Sequence, residues 1–498
     1  MNSYLDQLGS IAPETTLIAF SLIVLVQDLL QKGRNSIAVG GVTLLGLAIA
    51  LIQLLAASGD PARTVFGMVV VDRFASFFKI FTVAALMAVV VFVMSDRRER
   101  KHGIGEYYFL LLGAAVGIFF MVGTNNLLLL MLGLELLSLA TYSLAGFHKS
   151  DPRSAEASMK YVIFGGMSTG VMLYGISLLY GLTGTLDLSA MAGGAAAGLS
   201  SSLSAQLVAS PIPVAIAVVL VLAGFAYKVS VVPFHFWTPD VYEGAPTPVT
   251  TFLAVASKAA GFGALLRFLG ALFLKSGASD SIAHYGGRIG LLIAILAAVT
   301  MTLGNLAALR QQSLKRMLAY SSIAHAGYVL VGVATMTSAG FSAAMYYLAA
   351  YYLMNLGAFG FLLYFEGVTG SDTVESLRGM GWKAPVVSVA MVAFLVSLTG
   401  LPPTVGFYGK YLLFVEGWRA DLGWLVLVAG LNSVVSLFYY FRVAKALFLN
   451  DASERSAAPQ PVFVGFLVLL GIANIGLFFY ASPMVAWAKS SLDILTGT

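Results

Sequence analysis

Five ionisable residues lie within long apolar stretches of this chain of 498 residues. Four of them, Glu135, Lys228, Lys258 and Lys410, interrupt such stretches, and Lys160 lies near the start of another. A charge near the centre of a bilayer costs ~2.5–3.5 kcal/mol on insertion scales, so residues of this kind usually face the interior of a helix bundle and usually have a function. Because glutamate and lysine both exchange protons, we interpret these five residues as candidates for proton transfer across a membrane.

Two further basic residues in apolar stretches have an ordinary explanation. Lys79 lies one turn inside its stretch, and Arg267 lies about two turns from the end of its stretch. Long basic side chains at such positions can place their charged ends at the membrane surface. We therefore interpret Lys79 and Arg267 as snorkelling residues. Both interpretations stay open for Lys160.

Prolines interrupt the apolar stretches that contain two of the candidate lysines. Pro233 lies five residues after Lys228, and Pro402 and Pro403 lie shortly before Lys410. Interrupted helices at membrane depth are a usual mark of transport sites, and an ordinary proline kink is the alternative.

Each proline also predicts which backbone groups lose their partners. A proline removes one helical hydrogen bond, which should free the carbonyl of Val229 in the first stretch and those of Leu398 and Thr399 in the second. Such groups survive at membrane depth only where they meet protein or a water-filled cavity. A break beside a lysine therefore predicts a polar environment in the middle of the membrane.

Two histidines are candidate proton relays. His235 lies in the sequence Pro-Phe-His-Phe-Trp, and His325 lies in Ser-Ser-Ile-Ala-His. Histidine titrates near neutral pH, which suits a relay. A buried structural side chain is the ordinary interpretation of an isolated histidine, so both interpretations are kept.

Lysine and glutamate suit proton transfer energetically. Burial lowers the pKa of a lysine and raises that of a glutamate, and a nearby opposite charge reverses both shifts. Moving one proton against 100 mV costs about 2.3 kcal/mol. A pKa shift of about two units supplies a comparable ~2.7 kcal/mol.

Composition predicts an all-α polytopic membrane protein. Hydrophobic residues make up 59% of the chain and charged residues only 10%, whereas soluble domains have roughly 25% charged residues. The apolar stretches lack the alternation of membrane β-strands, so we predict helices. About fourteen of them lie near 14–31, 36–57, 74–95, 106–122, 125–146, 157–181, 212–238, 247–274, 289–309, 317–337, 341–366, 384–415, 423–448 and 461–481.

The distribution of basic residues predicts the orientation in the membrane. One set of alternate loops contains sixteen of them, Lys32, Arg34, Arg97, Arg98, Arg100, Lys101, Lys149, Arg153, Arg310, Lys315, Arg316, Arg378, Lys383, Arg442, Lys445 and Arg455. The opposite set contains six, Arg63, Arg73, Lys275, Arg288, Arg419 and Lys489. By the positive-inside rule both termini lie outside, on the periplasmic side.

Several function classes are excluded or disfavoured. The chain has no cysteine, which excludes a disulfide, a thiolate metal site and a cysteine-ligated iron–sulfur cluster. It has no Walker A motif, no dinucleotide fingerprint between strand and helix, and no soluble region large enough for a nucleotide. The net charge of +5 reflects membrane topology and does not predict nucleic-acid binding. We expect no cleavable signal peptide, since the start of the chain has no basic residue.

Three motifs together resemble those of a known family. They are KVSVVPFHFWTPDVYEGAPTPV at 228–249, Ser-Lys-Ala-Ala-Gly at 257–261 and KRMLAYSSIAHAGY at 315–328. They resemble the antiporter-like subunits of respiratory complex I over about residues 100–450. The Trp-Thr-Pro-Asp form of the first motif resembles the subunit N branch, whereas sister subunits and cation/proton antiporters typically have Trp-Leu-Pro-Asp-Ala.

The resemblance implies a fold and roles for single residues. Two inverted five-helix repeats would occupy 101–275 (helices 4–8) and 287–448 (helices 9–13), with three helices in 1–100, a fourteenth in 449–498, and helices 7 and 12 broken. Glu135 matches the glutamate that tunes the channel lysine, Lys228 the lysine of the broken helix, Lys258 the lysine that links the halves, and Lys410 the residue of helix 12. Lys160 matches a family lysine of less certain role.

The resemblance also implies partners and cofactors. Electrons would pass from NADH to quinone in other subunits, so flavin, iron–sulfur clusters and quinone are expected there and no cofactor or metal in this chain. The expected partners are the other membrane-arm subunits and the lipid bilayer, without nucleic acid. The implied location is a bacterial inner membrane.

Three functions stay open on the sequence alone. The first is a proton-translocating subunit of NADH-quinone oxidoreductase. The second is a subunit of a sodium/proton antiporter, which would need hard oxygen ligands for sodium, whereas the apolar stretches have many lysines and one central carboxylate. The third is a membrane scaffold that does not conduct.

Overall fold

The structure of the chain is a computed structural model that describes residues 4–31, 36–59, 61–96, 103–192, 203–274, 280–450 and 460–496. The first part is helical apart from one hairpin. Its helices are α1 (Tyr4–Ser10), α2 (Ala12–Gln31), α3 (Ser36–Ala57), α4 (Arg73–Ser95), α5 (Ile104–Val122), α6 (Leu127–Ala145), α7 (Pro152–Thr183), α8 (Leu188–Met191) and α9 (Leu203–Ala209). Strands β1 (Arg63–Val65) and β2 (Val69–Val71) form the antiparallel hairpin before α4.

The rest of the described chain is helical as well. It contains α10 (Pro211–Lys228), α11 (Trp237–Gly244), α12 (Thr247–Phe252), a π-helical turn (Leu253–Ser257), α13 (Lys258–Phe273), α14 (Asp280–Leu309), α15 (Leu314–Ala334), α16 (Ser338–Thr369), a 3₁₀ turn (Glu375–Leu377), α17 (Met380–Lys383), α18 (Pro385–Thr399), α19 (Val405–Arg419), α20 (Gly423–Phe448), α21 (Pro461–Phe479) and α22 (Ser482–Thr496).

The helices agree with the predicted all-α membrane class. Within the described residues, thirteen helical segments are long and apolar enough to cross a membrane, and α18 is a shorter apolar helix. They lie in the fourteen predicted regions. The predicted fold class is therefore confirmed, whereas the exact number of crossings and the inverted repeats over 101–275 and 287–448 stay predictions. Of the residues used to predict orientation, Lys32, Arg34, Arg97, Arg98, Arg100, Lys101, Lys275 and Arg455 lie outside the described residues.

Several boundaries differ from the prediction because hydropathy does not detect polar helix ends. Helix α14 begins at Asp280, although the apolar stretch begins near 289, since polar residues such as Arg288 occupy its first turns. Helix α19 likewise continues to Arg419. The hairpin and the amphipathic C-terminal helix α22 were not predicted.

Side-chain caps fix where several helices begin. Asp72 accepts a hydrogen bond from the backbone nitrogen of Ala75 at the start of α4, and Asn126 accepts from the first turn of α6. Ser313 caps α15 in the same way. These caps satisfy donors that a helix start leaves unpaired, which is necessary where no water is available.

Three long helices form the centre of the bundle. Within an apolar stretch of 18 residues in each helix, 100% of the residues are buried in Thr247–Phe273 and 94% in α15 and in α16. The corresponding share is 28% in α2 and in α21. Helix α15 packs between α14 and α16, and α10 packs on α7. Ionisable residues on the central helices are consequently shielded from lipid on every side.

The interpretation of Lys79 and Arg267 as snorkelling residues is wrong. Lys79 is buried and its Nζ lies 2.5 Å from Oε1 of Glu14 in α2. Arg267 is fully buried and makes two 2.9 Å hydrogen bonds with the carboxylate of Asp72. Both side chains turn inward because a carboxylate that is distant in sequence lies in another helix or helix cap.

The Arg267–Asp72 pair predicts a stability effect. Breaking a buried ion pair from one side costs about 3–5 kcal/mol, because the remaining charge is left without a partner. Arg267→Met should therefore lower the thermal unfolding temperature of the purified protein substantially, and adding Asp72→Asn should recover part of the loss. Arg73→Met is the control, since Arg73 is the exposed neighbour of Asp72. Equal effects of Arg73→Met and Arg267→Met would contradict a structural role of the pair.

Candidate proton pathway

The first candidate lysine lies at the end of a broken helix and contacts α6. Lys228 is the last residue of α10 and is 2% exposed. Its Nζ lies 3.3 Å from the Oγ of Ser138, which is one helical turn from Glu135 on α6. Glu135 is half-buried. The glutamate thus lies on the same helix as the serine that contacts Lys228, one turn away from it.

The break after Lys228 is a non-helical segment between two helices and not a simple proline kink. The chain leaves helical geometry after Lys228 and resumes it at Trp237. The indole nitrogen of Trp237 donates to the carbonyl of Tyr227 (3.1 Å), and Thr300 of α14 accepts from the backbone of Val232 (3.1 Å). Side chains from other elements therefore satisfy backbone groups that the break exposes, as the membrane requires.

Lys258 lies at the point where a π-helical turn returns to α-helix. Its Nζ donates to the carbonyl of Ser322 (3.0 Å) and to the hydroxyl of the same residue in α15. Gly261, one turn further on, lies against Lys228, because a Cβ at that position would be 3.1 Å from the Cγ of Lys228. The glycine therefore allows the two lysine-bearing helices to approach each other.

His325 lies within a cluster of tyrosine hydroxyls. Its Nδ1 is 2.6 Å from the hydroxyl of Tyr347, and its Nε2 is 3.2 Å from that of Tyr440. The Tyr440 hydroxyl also bonds to Ser321, the neighbour of the residue that holds Lys258. Hydroxyl groups both donate and accept hydrogen bonds, so those of Tyr440 and Ser321 connect the imidazole to the neighbour of Ser322, which binds Lys258.

Lys410 lies at the second break and binds its exposed carbonyls. Its Nζ donates to the carbonyls of Leu398 (3.2 Å) and Thr399 (2.8 Å) and to the hydroxyl of Ser433 (3.1 Å). The prediction that the prolines free these two carbonyls is confirmed. Nζ also lies 4.2 Å above the centre of the Tyr328 ring.

The Tyr328 ring links Lys410 to the histidine cluster. Its centroid is 5.6 Å from that of the His325 ring, and its hydroxyl lies 3.4 Å from the Oγ of Ser433. We name the series that consists of the half-buried Glu135 and the buried Lys228, Lys258, His325 and Lys410, with their neighbouring hydroxyls, the polar file. It extends through both halves of the bundle.

Two candidates lie apart from the polar file. Lys160 has a side chain that is 36% exposed and pairs with Glu156 and Asp240, each at 2.6 Å. Asp240 also pairs with Arg316, so Lys160 belongs to an ion-pair network beside α15. His235 is buried against Phe236 at the first break, and no hydrogen bond within the described residues joins it to Lys258 or Lys410.

The three lysines of the polar file have polar partners but no counter-ion. No carboxylate in the described part of the chain lies within 4 Å of the Nζ of Lys228, Lys258 or Lys410. A buried ammonium without an ion pair is costly, and a carboxylate that comes near offsets this cost. The charge of these lysines therefore depends on their electrostatic surroundings, as a proton carrier requires.

Comparisons with known proteins identify the family. The family model described as NADH:quinone oxidoreductase/Mrp antiporter, TM matches residues 124–436. An NADH-quinone oxidoreductase subunit N from an Anaeromyxobacter species is 39% identical, covering 97% of this chain and 96% of the relative. A subunit N 2 from Sorangium cellulosum is 41% identical over 99% of both chains. The chain belongs to this family.

Solved structures agree with the family and its fold. A chain of respiratory complex I from Thermus thermophilus is 33% identical and matches with a TM-score of 0.78, covering 96% of this chain and 99% of that one. A chain of the Mrp complex from Dietzia sp. has a TM-score of 0.82 over 97% and 98% at only 20% identity, which supports the fold alone. The resemblance predicted from the three motifs, including its subunit N branch, is confirmed.

The structure contains more buried carboxylates than the single central carboxylate that the sequence predicts. Glu14, Asp72 and Glu366 are each at most 8% exposed. Each lies near a basic side chain, and Glu366 is 3.8 Å from Lys315, which the sequence assigned to a loop. Among the described residues, no group of three or more His, Asp or Glu could hold a metal ion.

Sequence reasoning missed the hydroxyl connectors and the π-helical turn. Ser138, Ser322 and Tyr440 are ordinary residues in membrane helices, and only their position beside a lysine or histidine distinguishes them. Two of these residues had a signal in the sequence. Ser138 lies three residues after Glu135, and Ser322 lies within the motif at 315–328. The π-helical turn has no signal in the residues Leu253–Ser257 themselves.

The glycine before the second break provides a test of how Lys410 is held. Gly400 has a φ of +87°, and a Cβ there would lie 2.7 Å from the Cδ of Lys410. Gly370 has a φ of +70° with open space around it, so it is a matched control. Both Gly→Ala variants should lose about 1–2 kcal/mol for the left-handed backbone, and Gly400→Ala should lose roughly 1–3 kcal/mol more from overpacking.

Thermal unfolding of the purified protein measures this difference. Because Lys410→Ala removes the clashing Cδ, adding it to Gly400→Ala should cancel the extra loss in a double-mutant cycle. Equal destabilisation by Gly400→Ala and Gly370→Ala would show that Lys410 is not held against this turn.

Proposed function

We propose that this chain is a proton-translocating membrane-arm subunit of NADH-quinone oxidoreductase. The observation that carries the proposal is the polar file, in which three buried lysines have hydroxyls and carbonyls as partners and, within the described residues, no carboxylate within 4 Å. Relatives named NADH-quinone oxidoreductase subunit N at about 40% identity support the assignment of the complex.

The proposal assigns electron transfer to partner subunits. This chain has no cysteine, so iron–sulfur clusters would be bound by other subunits of the complex, and the proposal places flavin and quinone there as well. The partners are those subunits and the surrounding bilayer. The location that fits best is a bacterial inner membrane with both termini on the periplasmic side, given the basic loops. The two inverted repeats belong to the same proposal.

Each residue of the polar file has a role that follows from its contacts. Glu135 favours the ammonium form of Lys228, because an opposite charge one helical turn beyond Ser138 offsets the cost of burial. When that influence is removed, Lys228 releases its proton towards Lys258, whose helix it touches at Gly261. His325 and the tyrosine hydroxyls pass the proton between Lys258 and Lys410. Water fills the gaps that the direct contacts leave.

The antiporter and scaffold alternatives have weaker support. A sodium pathway needs several hard oxygen ligands around one point, and the buried carboxylates of Glu14, Asp72 and Glu366 each lie beside a basic side chain instead. A scaffold would not need unpaired buried lysines. Purification of the native complex separates the first two functions, since flavin- and cluster-bearing subunits should co-purify with this chain. A complex without redox subunits would contradict the proposal.

Replacement of Lys228 tests conduction directly. Lys228→Ala should leave the complex assembled but reduce proton pumping in vesicles about tenfold or more, since a positioned proton-transfer group is typically worth roughly 10²–10⁴-fold. The matched control is the double variant Lys79→Met with Glu14→Leu, which removes a buried lysine and its counter-ion outside the polar file. A wild-type proton/electron ratio in Lys228→Ala would reject the conducting function and favour the scaffold.

A further inference from the structure

A polar cavity opens where the ends of α11, α15 and α16 lie together, on the face with the many basic loops. Its volume is about 470 Å³, and its lining includes His148, Asp151, Glu243 and Asp372. The lining side chains Thr247, Lys315 and Glu366 are among the buried polar residues of the chain, at 3%, 8% and 8% exposure. The cavity thus connects the predicted inner surface to a buried carboxylate that the polar file does not include.

The buried carboxylate of Glu366 lies beside both Thr247 and Lys315. Its Oε2 accepts a 2.7 Å hydrogen bond from the hydroxyl of Thr247, whereas its Oε1 lies 3.8 Å from the Nζ of Lys315. That ammonium donates instead to the carbonyl of Ala245 at 2.9 Å. Because the ion pair is longer than a hydrogen bond, an oxygen of Glu366 can accept a proton without breaking a direct bond to Lys315.

Buried hydroxyls continue from Glu366 towards Lys258. Thr247 begins the continuous helical segment that reaches Lys258 eleven residues later, roughly 16 Å along the axis. Thr250 and Thr251 on its second turn are fully buried, and Thr250 donates to the carbonyl of Tyr242 at 3.0 Å. These side chains form a polar strip inside an otherwise apolar core.

The serine that binds Lys258 lies beside two further buried hydroxyls. The buried hydroxyls of Tyr242 and Tyr351 both lie close to Ser322. Neither makes a hydrogen bond within the described residues that meets strict geometry. Buried hydroxyls of this kind are usually satisfied by ordered water. Water at this position would join the threonine strip to the Ser322 hydroxyl, which already accepts from Lys258.

We propose that Glu366, positioned by Thr247 and Lys315, is the proton-loading group that takes protons from the inner cavity and delivers them to Lys258. The inference rests on the proposed function and adds the point at which protons enter the chain. A proton from cavity water binds a carboxylate oxygen and forms the neutral acid. The acid then releases that proton through bridging water to the neutral amine of Lys258, which becomes an ammonium as the carboxylate is restored.

Proton pumping by the assembled complex in vesicles tests this loading role. Glu366→Gln keeps an acceptor for Thr247 but cannot carry a proton, so pumping should fall about tenfold, most strongly at high pH on the inner side where protons are scarce. Glu366→Asp should restore part of the rate. Glu375→Gln is the control, since Glu375 is an exposed carboxylate on the same face and pairs only with Arg378 in the described chain.

The outcomes separate the entry point from the function itself. The loading role would be overturned, and the proposed function left intact, if Glu366→Gln pumped at the wild-type rate across the pH range while Lys258→Met did not pump. Wild-type pumping by Lys258→Met would instead defeat the proposed function.

If the Glu366→Gln variant fails to assemble, a measurement on the wild-type complex tests the same role. A water-soluble carbodiimide, which modifies protonated carboxyls, should label Glu366 in parallel with the loss of pumping, as followed by mass spectrometry. Complete labelling of Glu366 with pumping unchanged would overturn the proposal.

Discussion

The cost of placing a charge inside a membrane protein governs the arrangement of this chain. A lysine ammonium in the core needs either a counter-ion or several neutral acceptors. Lys79 and Arg267 have counter-ions, and their helices are tied together by the resulting pairs. The lysines of the polar file have neutral acceptors instead, so their charge is not fixed by a permanent partner. This difference separates the ion-paired basic residues from the lysines that we propose as proton carriers.

Irregular features of the helices bring the buried lysines to these neutral acceptors, and in one case a break supplies the acceptors itself. The break at Pro402 and Pro403 exposes the carbonyls that bind Lys410, and the π-helical turn precedes the residue that donates to Ser322. Gly261 lets Lys228 approach α13 closely. Serine side chains on regular helices accept from Lys228 and Lys258, whereas Lys410 uses carbonyls that a break exposes. Hydroxyls and one helix break are therefore the means by which the described part of the bundle accommodates these three lysines without a carboxylate within 4 Å.

Much of this arrangement was predictable from single residues and short patterns. Apolar stretches located the helices, prolines located both breaks, and the freed carbonyls of Leu398 and Thr399 followed from covalent geometry. Partners that are distant in sequence were not predictable, which is why Lys79 and Arg267 were misinterpreted and why Lys315 was assigned to a loop. Hydroxyl connectors such as Tyr440 acquire their meaning only from a neighbour on another helix.

The protonation of the buried lysines during turnover is the most direct measurable consequence. Redox-induced infrared difference spectra of the complex, with lysine labelled by ¹⁵N, report whether lysine side chains gain or lose protons as quinone is reduced. Label-sensitive lysine bands should appear, and those of Lys258 should vanish in Lys258→Met while the Lys79→Met with Glu14→Leu variant retains them. A complex that pumps protons at the full ratio without any label-sensitive lysine band would contradict proton transfer through the polar file.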